Sequence, residues 1–197
     1  LDGLVNNAGI AVAGPLEFLD ADELRRQLEV NVVGQLRVTQ LALPGLREAG
    51  GRIVNIGSIS GRSALPFLGA YAMSKFALEA MTDSLRVELR PWGIHVAIVE
   101  PGTIKTPMWT RERPDPPPEG LALYGDRLAA FRSFALKRSE SGAPAEAVAE
   151  TVEHALTAER PKARYLVGRD AKLRAGVERL PNRIRDRVYK RLLLGGT

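Results

Sequence analysis

Arg52-Ile53-Val54-Asn55-Ile56-Gly57-Ser58, followed by a helical stretch over 71–90 and then by Val96-Ala97-Ile98-Val99-Glu100-Pro101-Gly102, is the passage that decides the fold. Both flanking runs are short and nearly continuous in apolar, largely β-branched residues, the pattern of strands buried on both faces. A helix between two such strands makes a crossover, and a crossover joins parallel strands. The pattern repeats outward. Leu4-Val5-Asn6-Asn7-Ala8-Gly9 reads as a strand over 3–7 running into a tight turn, with Gly9 permitting close backbone approach. A helix is expected over 21–48, bent in its last turn by Pro44. Helices over 121–138 and 144–158 lead to a strand at 164–168. The alternation predicts one α/β domain over 1–197, with a parallel sheet of four strands and no internal repeats.

The chemistry-bearing residues fall at or just beyond the ends of these strands. Tyr71 and Lys75 are four residues apart, so phenol and ammonium project from one helix face. A cation beside a phenol favours the phenolate and lowers a pKa of about 10. Such a phenol can exchange a proton with a carbonyl or alcohol oxygen, and the hydroxyl of Ser58, thirteen residues upstream, can hold that oxygen. Alone, the pair equally describes a helix with one aromatic and one solvated lysine. Its company gives it weight. Asn31 interrupts the apolar pattern of Leu28-Glu29-Val30-Asn31-Val32-Val33-Gly34, and a buried Asn needs a hydrogen-bond partner. Pro101-Gly102-Thr103-Ile104-Lys105-Thr106 follows the third strand. In open α/β sheets ligands bind beyond the carboxyl ends of the strands, where all these residues would cluster.

Together they resemble the short-chain dehydrogenase/reductase family, in order from Leu4 to about Thr106: Asn-Asn-Ala-Gly, Asn31, Ser58, Tyr71 with Lys75, and Pro101-Gly102 followed by Thr106. The resemblance implies a Rossmann-like doubly wound parallel sheet, NAD or NADP as cofactor, and an alcohol or ketone as substrate. It implies Tyr71 as general acid or base and Lys75 as the group that lowers its pKa and binds the nicotinamide ribose. Ser58 would hydrogen-bond the substrate oxygen, and Asn31 would anchor a water leading to Lys75. Asn7, Ala8 and Gly9 would lie along the adenosine half of the cofactor, while Pro101, Gly102, Ile104 and Thr106 would border the nicotinamide. The family opens with a Gly-rich strand–turn–helix that grips the pyrophosphate. No such turn precedes Asn6, so the expectation is an N-terminally truncated chain, lacking the first strands and helices and binding dinucleotide weakly by itself. Two other readings stand beside the oxidoreductase: a nucleotide-sugar epimerase-like protein, and a non-catalytic interaction module on the same fold.

Composition narrows the classes further. Hydrophobic residues make up 45% of the 197, enough for one core. There is no Cys, and His95 and His154 lie far apart, so no metal site is expected. No apolar run reaches the roughly 18–20 residues that span a bilayer, and the expected location is cytoplasmic. The net charge of +5 is local: from Asp170 onward eight Lys/Arg stand against three Asp/Glu, while twenty of each sign balance before it. Leu173, Val177, Leu180, Ile184, Val188 and Leu192 recur at helical spacing, so 170–197 reads as a basic amphipathic tail interrupted near Pro181. Packing of its apolar stripe on the body or a partner subunit is favoured over peripheral contact with a membrane surface. Nucleic acid is not expected, because aromatic residues are not interleaved with the basic ones. The region 102–138 reads as a substrate lid carrying Met108, Trp109, Leu121, Leu123, Tyr124, Phe131 and Phe134, with Pro66-Phe67-Leu68-Gly69 opposite. Its apolar character favours a lipophilic substrate such as a steroid, retinoid or fatty-acyl compound. Apolar faces on the helices over 21–48 and 71–90 imply a homodimer or homotetramer.

Overall fold

The computed structural model describes residues 1–108 and 115–193. Trp109 and the last four residues of the tail lie outside the described residues, as does the side chain of Leu192. Four strands, β1 (Gly3–Asn6), β2 (Arg52–Ile56), β3 (His95–Pro101) and β4 (Arg164–Val167), pair side by side in chain order, all parallel. The register pairs Asn6 with Asn55, Ile56 with Val99, and Pro101 with Val167, which brings the strand ends and the loops after them to one edge.

The helices are α1 (Ala21–Leu28), α2 (Gly34–Ala49), α3 (Gly69–Glu88), α4 (Pro118–Glu140), α5 (Ala145–Thr157), α6 (Arg169–Val177) and α7 (Asn182–Leu193). Asp20 starts α1 by accepting a hydrogen bond from the Asp22 amide at 2.7 Å. Gly50, in the left-handed conformation with φ of 58°, ends α2. The break between α6 and α7 falls at Pro181, as the sequence predicts. The helix expected over 21–48 runs without a gap but is not α-helical throughout. A π-helical turn, Glu29–Val33, separates α1 from α2, while Pro44 is accommodated within α2. Two further boundaries differ: α3 begins at Gly69 and stops before Pro91, and α4 runs Pro118–Glu140.

Side chains alternate across the strands, so the sheet is covered on both faces. Ile53 and Val96 pack with Leu46, Leu85, Leu89 and Ile94 toward α2 and α3. Val54, Val99 and Val167 pack with Ala155, Val148 and Val152 of α5 on the other face. A third cluster, Phe67, Leu68, Leu128 and Phe131, ties α4 to the loop before α3. None of the described helices is long and apolar enough to cross a membrane.

Through the α2/α3 face runs a buried polar ladder. Asn6 Nδ2 donates to Thr39 Oγ1 of α2 at 2.9 Å and to Asn55 Oδ1 at 2.8 Å. Asn55 Nδ2 donates to Thr82 Oγ1 of α3 at 2.8 Å, and both threonines donate back to carbonyls of their own helices. Asn55, Thr39 and Thr82 are fully buried, so these bonds have no competition from water. Asn55→Val is expected to lower the unfolding free energy by about 2–4 kcal/mol, because Asn6 and Thr82 each lose a buried partner. A urea titration measures this, and a loss below about 0.5 kcal/mol would show that the ladder is not a tie between sheet and helices.

Candidate active site

Ser58 stands just past the end of β2 and opens a 3-10 turn, Ile59–Gly61, where its Oγ accepts from the Ser60 amide at 3.0 Å. The turn packs so closely on α3 that a Cβ at Gly61 would lie 2.8 Å from the Lys75 carbonyl oxygen. That contact brings Ser58 to Tyr71, and the two hydroxyls are hydrogen-bonded. Tyr71 is 6% exposed and Lys75 is 5% exposed. Lys75 Nζ lies 5.7 Å from the Tyr71 ring centroid and donates to the Ile56 carbonyl at 2.8 Å.

The electrostatics depart from the sequence expectation. Burial raises the Tyr71 phenol above its ordinary value of 10, and neither the Ser58 hydrogen bond nor the Arg174 guanidinium, which both pull downward, outweighs it. Burial likewise lowers Lys75 from 10.5 to about 8, against the opposing pull of Glu79. The pair is therefore governed by desolvation more than by its own four-residue spacing.

Asn31 sits inside the π turn and is fully buried. Its Oδ1 accepts from the Ile10 amide at 2.9 Å, and its Nδ2 donates to the Ile10 carbonyl and to Ser74 Oγ, each at 3.0 Å. The side chain is thus occupied by the protein itself, and the expected role of anchoring a water leading to Lys75 does not fall to it. Ser74 Oγ donates to the Tyr71 carbonyl at 2.7 Å, so Asn31 links the loop after β1 to the helix that carries Tyr71. Three neighbours were not singled out by sequence reasoning. Gln27 accepts from the Val12 amide at 2.6 Å and donates to the Ile10 carbonyl at 2.8 Å. Gln35 donates to the Ala8 carbonyl at 2.8 Å, and Ser74 Oγ accepts from both Gln27 and Asn31. A signal was present: uncharged polar residues recur every fourth position at Gln27, Asn31, Gln35 and Thr39, and all are 3% exposed or less.

Behind the site lies a charged cluster that sequence reasoning also missed. Glu100, fully buried at the end of β3, lies 3.3 Å from Arg62 and 3.4 Å from Arg164. Arg164 also pairs with Glu79 at 3.3 Å and with Asp83 of α3. Burial, then the Glu100 charge, push the Glu79 carboxyl up to about 7. Its signal was a carboxylate directly after the apolar run of β3.

A cavity of about 710 Å³ collects most of the nominated residues: Asn7, Gly9, Ser58, Tyr71, Lys75, Pro101, Gly102, Ile104 and Thr106 line it. Ala8 lines a neighbouring cavity of about 1250 Å³ that shares Asn7, Gly9, Thr106 and Met108. Asn31 lines neither and acts from behind. The donor set fits a nicotinamide ribose, because Ile56 takes one of the three Lys75 N–H donors and two remain for hydroxyl groups. No cluster of metal-ligating side chains exists among the described residues. The lid is less uniform than expected. Tyr124 and Phe131 pack on Phe67, whereas Leu121 and Leu123 are exposed.

A model of the short chain dehydrogenase family matches residues 1–117. The chain is 44% identical over 183 residues to a 3-amino-tetrahydro-pyrrolizinone reductase of Xenorhabdus hominickii, covering 86% of this chain and 62% of that protein. It is 40% identical over 207 residues to mouse (Mus musculus) retinol dehydrogenase 5, covering 98% of this chain and 65% of that one. It therefore spans less than two thirds of the length of these two relatives. A short chain dehydrogenase from Burkholderia cenocepacia, solved in complex with NADP, superposes with a TM-score of 0.73 at 28% identity, covering 98% of this chain and 71% of that one.

Glu79 binds a proton more tightly in the fold, at about 7, than its ordinary value of 4.5 allows in the unfolded chain. The stability this proton contributes is complete below pH 4.5 and is lost as pH rises through about 7. Glu79→Gln holds a neutral amide at every pH. Its stability relative to the parent is therefore expected to rise across that window and to level off above it, measured by paired urea denaturation. A difference independent of pH would show that Glu79 is already ionised in the fold near pH 5.

Proposed function

The chain belongs to the short-chain dehydrogenase family, and from that premise we propose that it carries the catalytic groups of an NAD(P)-dependent oxidoreductase acting on an alcohol or ketone. The observation that supports this most is the convergence of Ser58, Tyr71 and Lys75 on one cavity, with Tyr71 hydrogen-bonded to Ser58. Bound NAD(P) supplies the hydride. In the reducing direction Ser58 holds the carbonyl oxygen while the Tyr71 phenol gives it a proton. A phenol raised by burial is protonated at neutral pH, the form this step needs. Lys75 offers its two remaining donors to the ribose and keeps part of its charge near pH 8. The Gln27–Asn31–Ser74 network keeps the helix backbone at Tyr71 in fixed relation to the loop that meets the cofactor. The relative named retinol dehydrogenase and the apolar wall of Phe67, Leu68 and Phe131 support an apolar substrate body.

Assembly into a homodimer or homotetramer is part of the same reading. It is supported by apolar side chains that point outward from α2 and α3: Val38, Leu41, Phe76 and Val87, with Leu41 84% exposed. Leu41→Glu is expected to shift the species seen by light scattering toward monomer; an unchanged mass would exclude α2 from the interface.

Tyr71→Phe is expected to lower kcat for NAD(P)H-dependent ketone reduction by about 10²–10⁴-fold, the usual contribution of a positioned general acid. Its unfolding midpoint should stay close to the parent value. Retained turnover in a folded Tyr71→Phe protein would reject the assignment, and unaltered cellular function would favour an interaction module.

A further inference from the structure

A third cavity, of about 270 Å³, opens on the far side of Ser58, between α4 and the α6–α7 tail. It shares Ser58 and Gly102 with the cavity that holds Tyr71 and Lys75, so the two meet at the oxygen-holding hydroxyl. Leu65, Leu68, Phe131 and Phe134 form an apolar wall. Its charged groups are Arg138, Asp170 and Arg174.

Arg174 is the unusual member. Its NH2 donates to the Ser63 carbonyl at 2.6 Å and its Nε to Ser63 Oγ at 3.3 Å, and it bonds the Tyr189 hydroxyl. Every one of these acceptors is neutral. The neighbouring carboxylates are engaged elsewhere: Asp170 accepts from the Thr103 amide and Oγ1, both at 2.8 Å, and pairs with Arg138 at 3.5 Å. Glu178 accepts from Tyr189 at 2.7 Å and pairs with Arg185 at 3.2 Å. Among the described residues no carboxylate lies within ion-pair distance of Arg174, although its surroundings are dry enough that burial lowers its pKa. Three bonds leave two of the five guanidinium donors for a further acceptor. The charge is close enough to the reacting centre to act on the Tyr71 phenol. Asp170 steadies this cation from beyond ion-pair distance, and a planar fork suits a carboxylate, which it can bind with two parallel hydrogen bonds.

We propose that this cavity is a carboxylate subsite, in which Arg174 holds the acid group of an oxo-acid or hydroxy-acid substrate. The alkyl chain lies on Leu65, Leu68, Phe131 and Phe134, and the carbonyl reaches Ser58 and Tyr71. The substrate class rests on the oxidoreductase reading; the subsite itself does not.

Two arms of one experiment separate these. In the first, the cofactor-loaded protein is given 3-oxooctanoate and its methyl ester. The acid is expected to be preferred in kcat/KM by about 10–100-fold, the weight of a charge-assisted hydrogen bond. Arg174→Met should erase that preference by raising KM of the acid far more than that of the ester, and Arg174→Lys should keep part of it. In the second arm, octanoate and methyl octanoate are titrated calorimetrically, which needs no turnover, and octanoate should bind in an Arg174-dependent manner. Equal use of acid and ester by the parent, or an equal loss of both in Arg174→Met, overturns the subsite, the latter marking Arg174 as a staple for Ser63. If no ketone is reduced but octanoate binding depends on Arg174, the subsite stands and the oxidoreductase reading fails. If Arg174→Met does not fold, the acid-over-ester preference of the parent and its change in Arg174→Lys decide the matter.

Discussion

The site depends on a stripe of four uncharged polar side chains, Gln27, Asn31, Gln35 and Thr39, that faces the loop after β1 and the ladder of the sheet. On a regular α-helix each step of four residues drifts by about 40°, so the last of four would point about 120° away from the first. The π turn removes that drift. In it the Gly34 amide bonds to the Glu29 carbonyl, five residues back, which takes up one extra residue and resets the phase of everything after Asn31. Gln27 and Asn31 can then hold Ile10 and Val12 while Gln35 holds Ala8 and Thr39 holds Asn6. One local irregularity lets a single helix position both the strand end and the loop where Asn7 and Gly9 meet the cavity.

What the sequence made legible follows the same physics. Strands buried on both faces and the helix break at Pro181 were readable because each is set by local chemistry. Ser58, Tyr71 and Lys75 were readable because their motif spacing is fixed by one turn of helix and one strand end. The π turn was not readable, since no residue type demands it; the sheet demands it by requiring Asn31 and Gln35 on one face. The direction of the Tyr71 shift was also misjudged. Spacing alone placed a cation beside the phenol, but burial of both groups outweighs their mutual influence, and burial is a property of the packed structure. In the lid, composition could not tell Phe131, which is buried, from Leu123, which is 63% exposed on the same helix.

The elements that follow the motif region supply the other half of the site. Arg164, on β4, reaches Glu79 and Asp83 on α3 and Glu100 on β3, and so clamps the helix that carries Tyr71 from the side opposite the stripe. Three carboxylates, Glu79, Asp83 and Glu100, meet three guanidiniums, Arg62, Arg86 and Arg164, and burial, then the Glu100 charge, raise Glu79 to about 7 one helical turn from Lys75. The helix that carries Tyr71 is thereby held on one side by neutral hydrogen bonds and on the other by a charge network in which Glu79 titrates at about 7.

Gly102 joins these halves, for a reason of space and not of backbone freedom. A Cβ there would lie 2.1 Å from Asp170 Oδ1 and 2.6 Å from its carboxyl carbon, so no side chain can coexist with Asp170 in its present place. Asp170 needs that place in order to accept from the Thr103 amide and hydroxyl, which turns the chain away from β3. It lies in the first turn of α6, and Arg174, one turn later, points into the cavity beyond Ser58. A side chain at Gly102 would thus displace α6 and Arg174 with it. The Gly of the Pro-Gly motif is therefore a fitting for the basic tail, and the Arg174 charge reaches the site through that contact.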